Sequence, residues 1–582
     1  MSISDKGKDN IDLSRRNLLI GSVGAAFMVA FAPSLLAQQS SVNKMLTDKN
    51  FSPTVWYEID QNGVIKVNIA RAEMGQHVGT ALAKIVAEEL GADWNDVIIE
   101  HVNTNPKWGY MVTGGSWSVF QSYEPLSRAG AAGRAILIEA GAKALNKSIA
   151  DCQAENGFVV CGQQRISFAE LIKTQQFNKT VSADELKNYA IKSRKHHTII
   201  GKQSQALDIP PKVNGTAVYG IDVEVPGMIF ARPVVPPSRY GNKVESVDDS
   251  NAKKITGYQG YKELSDPSGW LEGWVVVFAD NYPAAVQAVD KIKVSYLHND
   301  ALSISEADIQ NRGKALIADQ EAGALLVDVG DTTSAQESAA SQFDSTYTTS
   351  SAMHFQLEPV NAVVEFKEGV WHVHSGNQWQ SLTLPAVAKA LEVDDSQVII
   401  HQYYLGGGFG RRLFGDYMIP AALAAKAIGK PVKMVFTRED DAHFDQPRSP
   451  SVSHLNATLN DDNEVIGIEH RFTSGWPTKA MAAGFLAPSK DGKKKIDMLS
   501  ASGSDHWYSL PNHKVLVYNN DLAQKTFVPG WLRSVGPGWI QWSVESFMDE
   551  LAHKSGQDPA EFRLALLDAQ GRQSGSAPHS VG

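Results

Sequence analysis

Cysteine is almost missing. Of 582 residues only Cys152 and Cys161 are cysteines, and two thiols cannot hold an iron–sulfur cluster, which takes four protein ligands. No Cys-x-x-Cys-His occurs, which excludes an attached c-type haem. Eight residues separate the pair; a disulfide in an oxidising compartment and two free thiols both remain open. Positive charge is also in deficit. The formal net charge is −10 and the isoelectric point about 5.9, which argues against a nucleic-acid partner. There is no Walker A loop, no Gly-x-Gly-x-x-Gly and no short-period repeat. Any redox work done here would need an electron route supplied from outside the chain.

The length fits three or four structural units at about 150 residues each. Hydrophobic residues make up 43% and charged residues 20%, ordinary for large folded cores. Near the start, Ser14-Arg15-Arg16-Asn17-Leu18-Leu19 leads into an apolar run reaching Ala32. Paired arginines before a modest apolar stretch predict a Tat signal peptide or N-terminal anchor over 1–40, and a periplasmic protein, released or membrane-tethered. Leu35-Leu36-Ala37 is a poor cleavage site.

Periodicity then predicts a hairpin over 52–70, a helix over 79–91 closed by Gly91, a helix over 124–145 and a linker over 185–200. Asp208–Gly215 is turn chemistry. Strands at 216–223, 228–235 and 274–278, a helix at 282–292 and a strand from 294 make a compact α+β unit. Residues 300–345 are acidic and polar and read as a mobile connector. Beyond them come strands (359–366, 370–375, 397–404, 432–437), helices (382–391, 415–428), a hairpin over 452–472, a solvated lysine loop over 485–500 and a last helix over 541–568. His372 and His374 alternate on a strand with no third ligand nearby, and read as ordinary strand residues. His553 and His579 carry no identifiable chemistry. Arg438–Asp441 reads as a surface turn.

The sharpest local feature is Leu405-Gly406-Gly407-Gly408-Phe409-Gly410-Arg411-Arg412. It follows a β-branched strand and precedes a helix. Consecutive glycines let backbone N–H groups approach a ligand, and two arginines add charge for an anion, so a phosphate-bearing cofactor is the natural guest. An unliganded glycine turn is the competing reading.

With its surroundings, this loop resembles the molybdopterin-binding subunits of the xanthine oxidase and aldehyde oxidoreductase superfamily. His354-Phe355-Gln356-Leu357-Glu358-Pro359 resembles the substrate-side motif. Asn377-Gln378 precedes Phe409 at the family's spacing. Arg533-Ser534-Val535-Gly536 resembles the Arg-x-x-Gly loop beside the metal. Glu545–Ala552 and Gly556-x-Asp558-Pro559-x-x-Phe562-Arg563 match a structural signature helix. Glu73-Met74-Gly75-Gln76 and Thr113-Gly114-Gly115-Ser116-Trp117-Ser118 resemble two further cofactor segments. Here they precede the Gly-rich loop, a permuted order like that of isoquinoline 1-oxidoreductase beta subunits and related membrane-associated aldehyde dehydrogenases.

The resemblance implies an α+β, multi-domain molybdenum-hydroxylase large subunit. A first molybdopterin-binding segment would span 41–200, an α/β-hammerhead domain 205–300, a connector 301–345 and a second molybdopterin-binding region 346–582. It implies catalytic roles for Gln378 and Arg533. It implies cofactor contacts from Gly75, Gln76, Gly114, Gly115, Ser116, Gly407, Gly408, Phe409, Gly410 and Arg411. The molybdenum would be held by the dithiolene of a molybdopterin cytosine dinucleotide rather than by side chains. A separate small [2Fe–2S] subunit would take the electrons, with a membrane cytochrome c as a further candidate partner. The reaction expected is hydroxylation of an isoquinoline-like N-heterocycle or an aldehyde, with water as oxygen source. The family's base, a Glu in a Gly-x-Gly-Glu loop, does not occur in the sequence, and Gln573–Gly582 reads as tail. The expectation is therefore a chain truncated at its C-terminus, with an inactive remnant or split-gene fragment as the alternative. Glu73 and Glu358 are the candidate replacement bases. A periplasmic binding protein without redox chemistry is the weakest reading.

Overall fold

The computed structural model describes residues 50–177 and 179–567, and the backbone of 572–573 and 580–581. The expected export signal over 1–40 and most of the terminal tail lie outside the described residues. Contacts divide the chain into two units, one built from Gln39–Asn299 and His354–Asp445, the other containing Asp300–Met353 and Gln446–Gly582.

The first unit opens with a four-stranded sheet, Phe51–Thr54, Tyr57–Ile59, Ile65–Ile69 and Val97–His101, in that order. Ile65–Ile69 and Val97–His101 run parallel, joined by the helix Val78–Leu90. That crossover follows from the sequence. Apolar residues recur at helical spacing and bury Leu82, Ile85, Val86 and Leu90. Gly91 then ends the helix at φ +72°, where any Cβ would run into the Ala154 carbonyl. The helix Trp117–Leu145 packs across it and begins seven residues before the expected 124. Cys152 and Cys161 face each other on neighbouring strands and are joined by a disulfide.

Residues 185–200, expected as a linker, are tied down. Glu88 and Glu89 are buried and accept from the N–H groups of Lys192 (3.0 Å), Thr198 (2.8 Å) and Ile199 (2.7 Å). Buried carboxylates need such donors, and the segment supplies them.

The unit's main sheet has seven strands, ordered Tyr258–Glu263, Val275–Ala279, Ile229–Val234, Val432–Val435, Asn361–Lys367, Val370–His374 and Val398–His401. The segment expected as the hammerhead thus supplies three strands and the 361–435 region four, meeting where Ile229–Val234 pairs parallel with Val432–Val435. The strand expected over 216–223 is instead a single bridge at Tyr219 and a short turn, Gly220–Asp222. Helices Gln380–Leu391 and Met418–Ile428 cover the sheet, and Tyr417, Met418, Ile419 and Ala422 are fully buried in its core.

The second unit is a five-stranded sheet, ordered Ala324–Val329, Asn512–Asn519, Val465–Ser474, Ser451–Leu459 and Ser341–Thr349. Residues 301–345 are therefore no mobile connector. They form the helix Glu306–Ala318 and two strands of this sheet. Their polarity reflects one wet face: Ser341–Thr349 alternates half-buried and exposed positions. The lysine loop over 485–500 contains a short strand pair and a fully buried Asp497, which accepts from Thr478 Oγ1 at 2.7 Å. The last helix divides at Gly556 (φ +66°) into Pro537–Lys554 and Pro559–Ala565, the second capped by Asp558. Phe547, Met548 and Leu551 of the longer helix are fully buried, each contributing about 1.5–3 kcal/mol.

Candidate functional site

Three of the predicted cofactor segments converge within the first unit. The Gly-rich loop leaves the edge strand Val398–His401. Gln378 lies between that strand and its parallel neighbour Val370–His374, at the start of the crossover. Its Oε1 accepts from the Gly410 N–H at 3.1 Å and its Nε2 donates to the Thr113 carbonyl at 3.0 Å. The Thr113 N–H in turn donates to the Gln378 carbonyl at 2.6 Å. One amide side chain therefore joins the Gly-rich loop to the 113–116 segment. Gly408 shows how close the third segment comes: a Cβ there would lie 2.5 Å from Gln378 Oε1 and 2.9 Å from Met74 Sδ. The loop can close on its neighbours only with hydrogen at that position.

Each of the two outer loops is held by a carboxylate. Glu73, 1% exposed, accepts from the N–H groups of Gly75 (2.8 Å), His77 (3.3 Å) and Val78 (3.1 Å), and from Lys212 Nζ (2.8 Å). Glu358 accepts from the N–H groups of Ile221 (3.1 Å) and Gly406 (2.8 Å), from Asn361 Nδ2 (2.9 Å) and from Arg412 Nη2 (3.0 Å). A carboxylate has about four acceptor sites, and both residues fill theirs. Neither is free to act as the replacement base.

The arginines correct another expectation. Arg411 and Arg412 are fully buried and offer no charge to a bound anion. Arg411 is surrounded by Asp416 (2.9 Å), Asp445 (3.2 Å) and Asp441 (3.4 Å). Burial pushes the Asp441 carboxyl up. Burial would raise Asp445 too, but His354 and Arg411 outweigh it and hold that group low. Arg438–Asp441, expected as a surface turn, begins the helix Arg438–His443 and delivers Asp441 to this buried network. No local signal in the sequence announces these partners, nor Lys212.

The remaining donors fit a phosphate-bearing pterin. Among the described residues the Gly407 and Gly408 N–H groups have no partner. Gln378 keeps a second amide hydrogen. Ser116 heads the 29-residue helix Trp117–Leu145 in a left-handed conformation (φ +59°), and its hydroxyl does not cap that helix, leaving an electropositive N-terminus for a phosphate. Gly75 (φ +106°) has open space around it. Gln76 is exposed and its side chain folds back on its own loop, bonded to the Met74 N–H (2.7 Å) and the Ala72 carbonyl (2.8 Å), so it shapes the loop. The Phe409 ring and the Leu357 backbone lie close to Gly407, and Phe355, Leu357 and Phe409 are all exposed apolar side chains, Phe355 and Phe409 at positive φ. Arg533 belongs to the second unit, exposed and followed by Ser534 and Val535 in left-handed conformations. Glu73, His77 and Asp208 bring potential ligand atoms within 4.8 Å of one another, but the Lys212 ammonium already bridges Glu73 and Asp208.

Two family models, each described as a molybdopterin cofactor-binding domain, match residues 7–225 and 317–566. The chain is 47% identical over 582 residues to a membrane-bound aldehyde dehydrogenase (pyrroloquinoline-quinone) of Gluconacetobacter polyoxogenes, covering 99% of this chain and 75% of that one. It is 26% identical over 612 residues to isoquinoline 1-oxidoreductase subunit beta of Brevundimonas diminuta, covering 97% and 76%. Among solved structures, the aldehyde oxidoreductase of Desulfovibrio gigas shares the fold at TM-score 0.50 and 19% identity, over 63% of this chain and 43% of that one. The chain therefore belongs to the molybdopterin-binding subunits of the xanthine oxidase family of molybdenum oxidoreductases.

Proposed function

We propose that this chain is the molybdenum-cofactor subunit of a periplasmic, Tat-exported hydroxylase that oxidises an aldehyde, with an isoquinoline-like N-heterocycle as the second candidate substrate. The observation that carries the reading is the meeting of Gln378, Thr113, Met74 and the Gly-rich loop at Gly408. The cofactor, when bound, supplies the two-electron chemistry and the transfer of oxygen from water. The chain binds and orients. Gly407 and Gly408 N–H groups and the spare Gln378 amide hydrogen would hold its oxygens, and the Ser116 helix end would hold a phosphate, as a cytosine dinucleotide form requires. The exposed side chains of Phe355, Leu357 and Phe409 offer apolar surface that suits an alkyl or aromatic substrate. The name of the 47% identical relative favours the aldehyde.

With two cysteines, both in a disulfide, the chain has no cluster ligands. That supports electron exit through a small [2Fe–2S] subunit, with a membrane cytochrome c beyond it. The disulfide also supports an oxidising compartment, and Arg15-Arg16 supports Tat export.

The test is purification with the adjacent small subunit, followed by molybdenum, pterin and cytidine monophosphate analysis and assays on aldehydes and isoquinoline with an artificial acceptor. Expected are one molybdenum per chain and, because the sequence holds no Gly-x-Gly-Glu base and Glu73 and Glu358 are both engaged, aldehyde turnover in the usual enzyme range, about 1–10³ per second, only when a Gly-x-Gly-Glu segment is supplied fused or in trans. Bound quinone without molybdenum would overturn the cofactor reading. Molybdenum with isoquinoline turnover only would move the substrate to the second candidate.

A further inference from the structure

Outside the cofactor loops, three imidazoles and a carboxylate share one face of the seven-stranded sheet. His372 and His374 alternate on Val370–His374. His401 ends the edge strand in register with His374, and Glu365 stands opposite His372 on Asn361–Lys367. Strand alternation and register place all four on the same side. His401 Nε2 is 2.8 Å from His372 Nδ1. The His374 and His401 rings stack with centroids 4.3 Å apart, and Glu365 Oε1 lies 3.5 Å from His374 Nε2. The reading of His372 and His374 as a pair without a third ligand is thus corrected: the third imidazole arrives from the next strand.

His374 is 8% exposed, and its Nε2 is buried without a hydrogen-bond partner. Asn103 Nδ2 lies 3.0 Å from His401 Nδ1. With Asn103 assigned as donor, the His401 proton sits on Nε2 and is shared with His372. Burial, then the neighbouring imidazoles, push both His374 and His401 down to about 4. Those two rings are neutral near pH 7, as metal ligands must be.

We propose that His372, His374, His401 and Glu365 bind one divalent transition-metal ion of the zinc, copper or nickel class at this sheet edge. Mixed imidazole and carboxylate sets suit those ions. The ion would replace the proton between His401 Nε2 and His372 Nδ1, opening their separation to the roughly 3.3 Å set by two metal–nitrogen bonds of about 2.0 Å in a tetrahedral site. The other two ligands would reach it by side-chain rotation: Glu365 and His401 stand on strands separated by Val370–His374, and the four ligand atoms are not gathered in this structure. A bound ion would fasten the edge strand from which the Gly-rich loop departs.

The test uses the full-length protein after treatment with a chelator, which leaves pterin-held molybdenum in place. Zn²⁺ titrated by calorimetry should bind one equivalent, Co²⁺ should give a tetrahedral visible spectrum, and Tm should rise with the metal. His372→Gln with His401→Gln should weaken Zn²⁺ binding more than about 100-fold with molybdenum content unchanged. Equal Zn²⁺ binding by wild type and double variant overturns the proposal, as does a wild type that takes up no Zn²⁺ or Co²⁺. If the double variant fails to fold, diethyl pyrocarbonate labelling of the wild type decides. Saturating Zn²⁺ should shield His372 and His401, and unshielded labelling rejects the site.

Discussion

The loop after residue 73 and the loop after residue 405 are built alike and insulated differently. Each is fastened by one buried carboxylate with four polar contacts, one of them a cation. Glu358, 48 residues before Gly406, takes its cation from the loop it fastens: Arg412, whose side chain is 0% exposed. Glu73 takes its cation from 139 residues away: Lys212, whose side chain is 18% exposed and which also serves Asp208. Each loop thus takes one member of its ion pair from a distant segment, Glu358 for the Gly-rich loop and Lys212 for the 73–76 loop. The difference is that the Arg412 cation is sealed from water while Lys212 is part-exposed and divided between two carboxylates, so the site has a firm side and a yielding side.

Arg412→Met should cause the largest damage. Glu358 would keep its neutral donors but lose its only cation in a buried setting, a loss of about 3–5 kcal/mol. Chemical denaturation should show it, with cofactor content falling in parallel. A variant with unchanged stability would show that the fastening is incidental. Lys212→Met should cost less, about 1.5–3 kcal/mol, because the Lys212 ammonium is part-exposed where Arg412 is sealed, and both carboxylates it serves keep other partners: three backbone N–H groups at Glu73, His77 and Thr80 at Asp208. If Lys212→Met proved as costly as Arg412→Met, the contrast between the loops would collapse.

Gln378→Ala tests the joint between the loops rather than either fastening. It removes hydrogen bonds to Gly410 N–H and the Thr113 carbonyl, each worth about 0.5–1.5 kcal/mol net. Pterin content should fall modestly, with a faster off-rate into buffer. Full retention together with altered spectra would mean that the amide serves only the metal side.

The uneven legibility of the site follows from the same physics. The glycine loop was readable because only glycine allows the approach at Gly408, and such a need leaves a mark in sequence. The role of Arg411 was misread because charge in a sequence does not say which way it faces. Its partners Asp441 and Asp445 lie about thirty residues downstream. His401 was missed for a related reason: parallel strands pair across a helical crossover, so the residue beside His374 stands 27 positions away. The 301–345 segment looked like a connector because its partner strands, Ser451–Leu459 and Asn512–Asn519, lie more than a hundred residues on. Local helices and caps, such as Val78–Leu90 with Gly91, needed no distant partner and were read correctly.

Acid should separate the two sides by the smallest and most specific effect. Asp208 is buried beside Lys212 and His77, with His77 Nδ1 at 2.8 Å. Burial alone would raise its carboxyl, but hydrogen bonds from Lys212 and His77 win and hold it below the usual 3.8. A carboxyl depressed in the folded state contributes stability that is complete above its unfolded pKa and is lost as pH falls through the folded value. The yielding side should therefore be unaffected from pH 8 to 5 and loosen only below about pH 4. Hydrogen exchange at the Gly75, His77 and Val78 N–H groups should report it, after correction for the intrinsic rate. Asp208→Asn should flatten that acid response while leaving exchange at the Gly406 N–H, held by Glu358, as in the wild type. Identical acid responses in Asp208→Asn and wild type would place the loosening in some other carboxylate and leave the Lys212 bridge without a part in it.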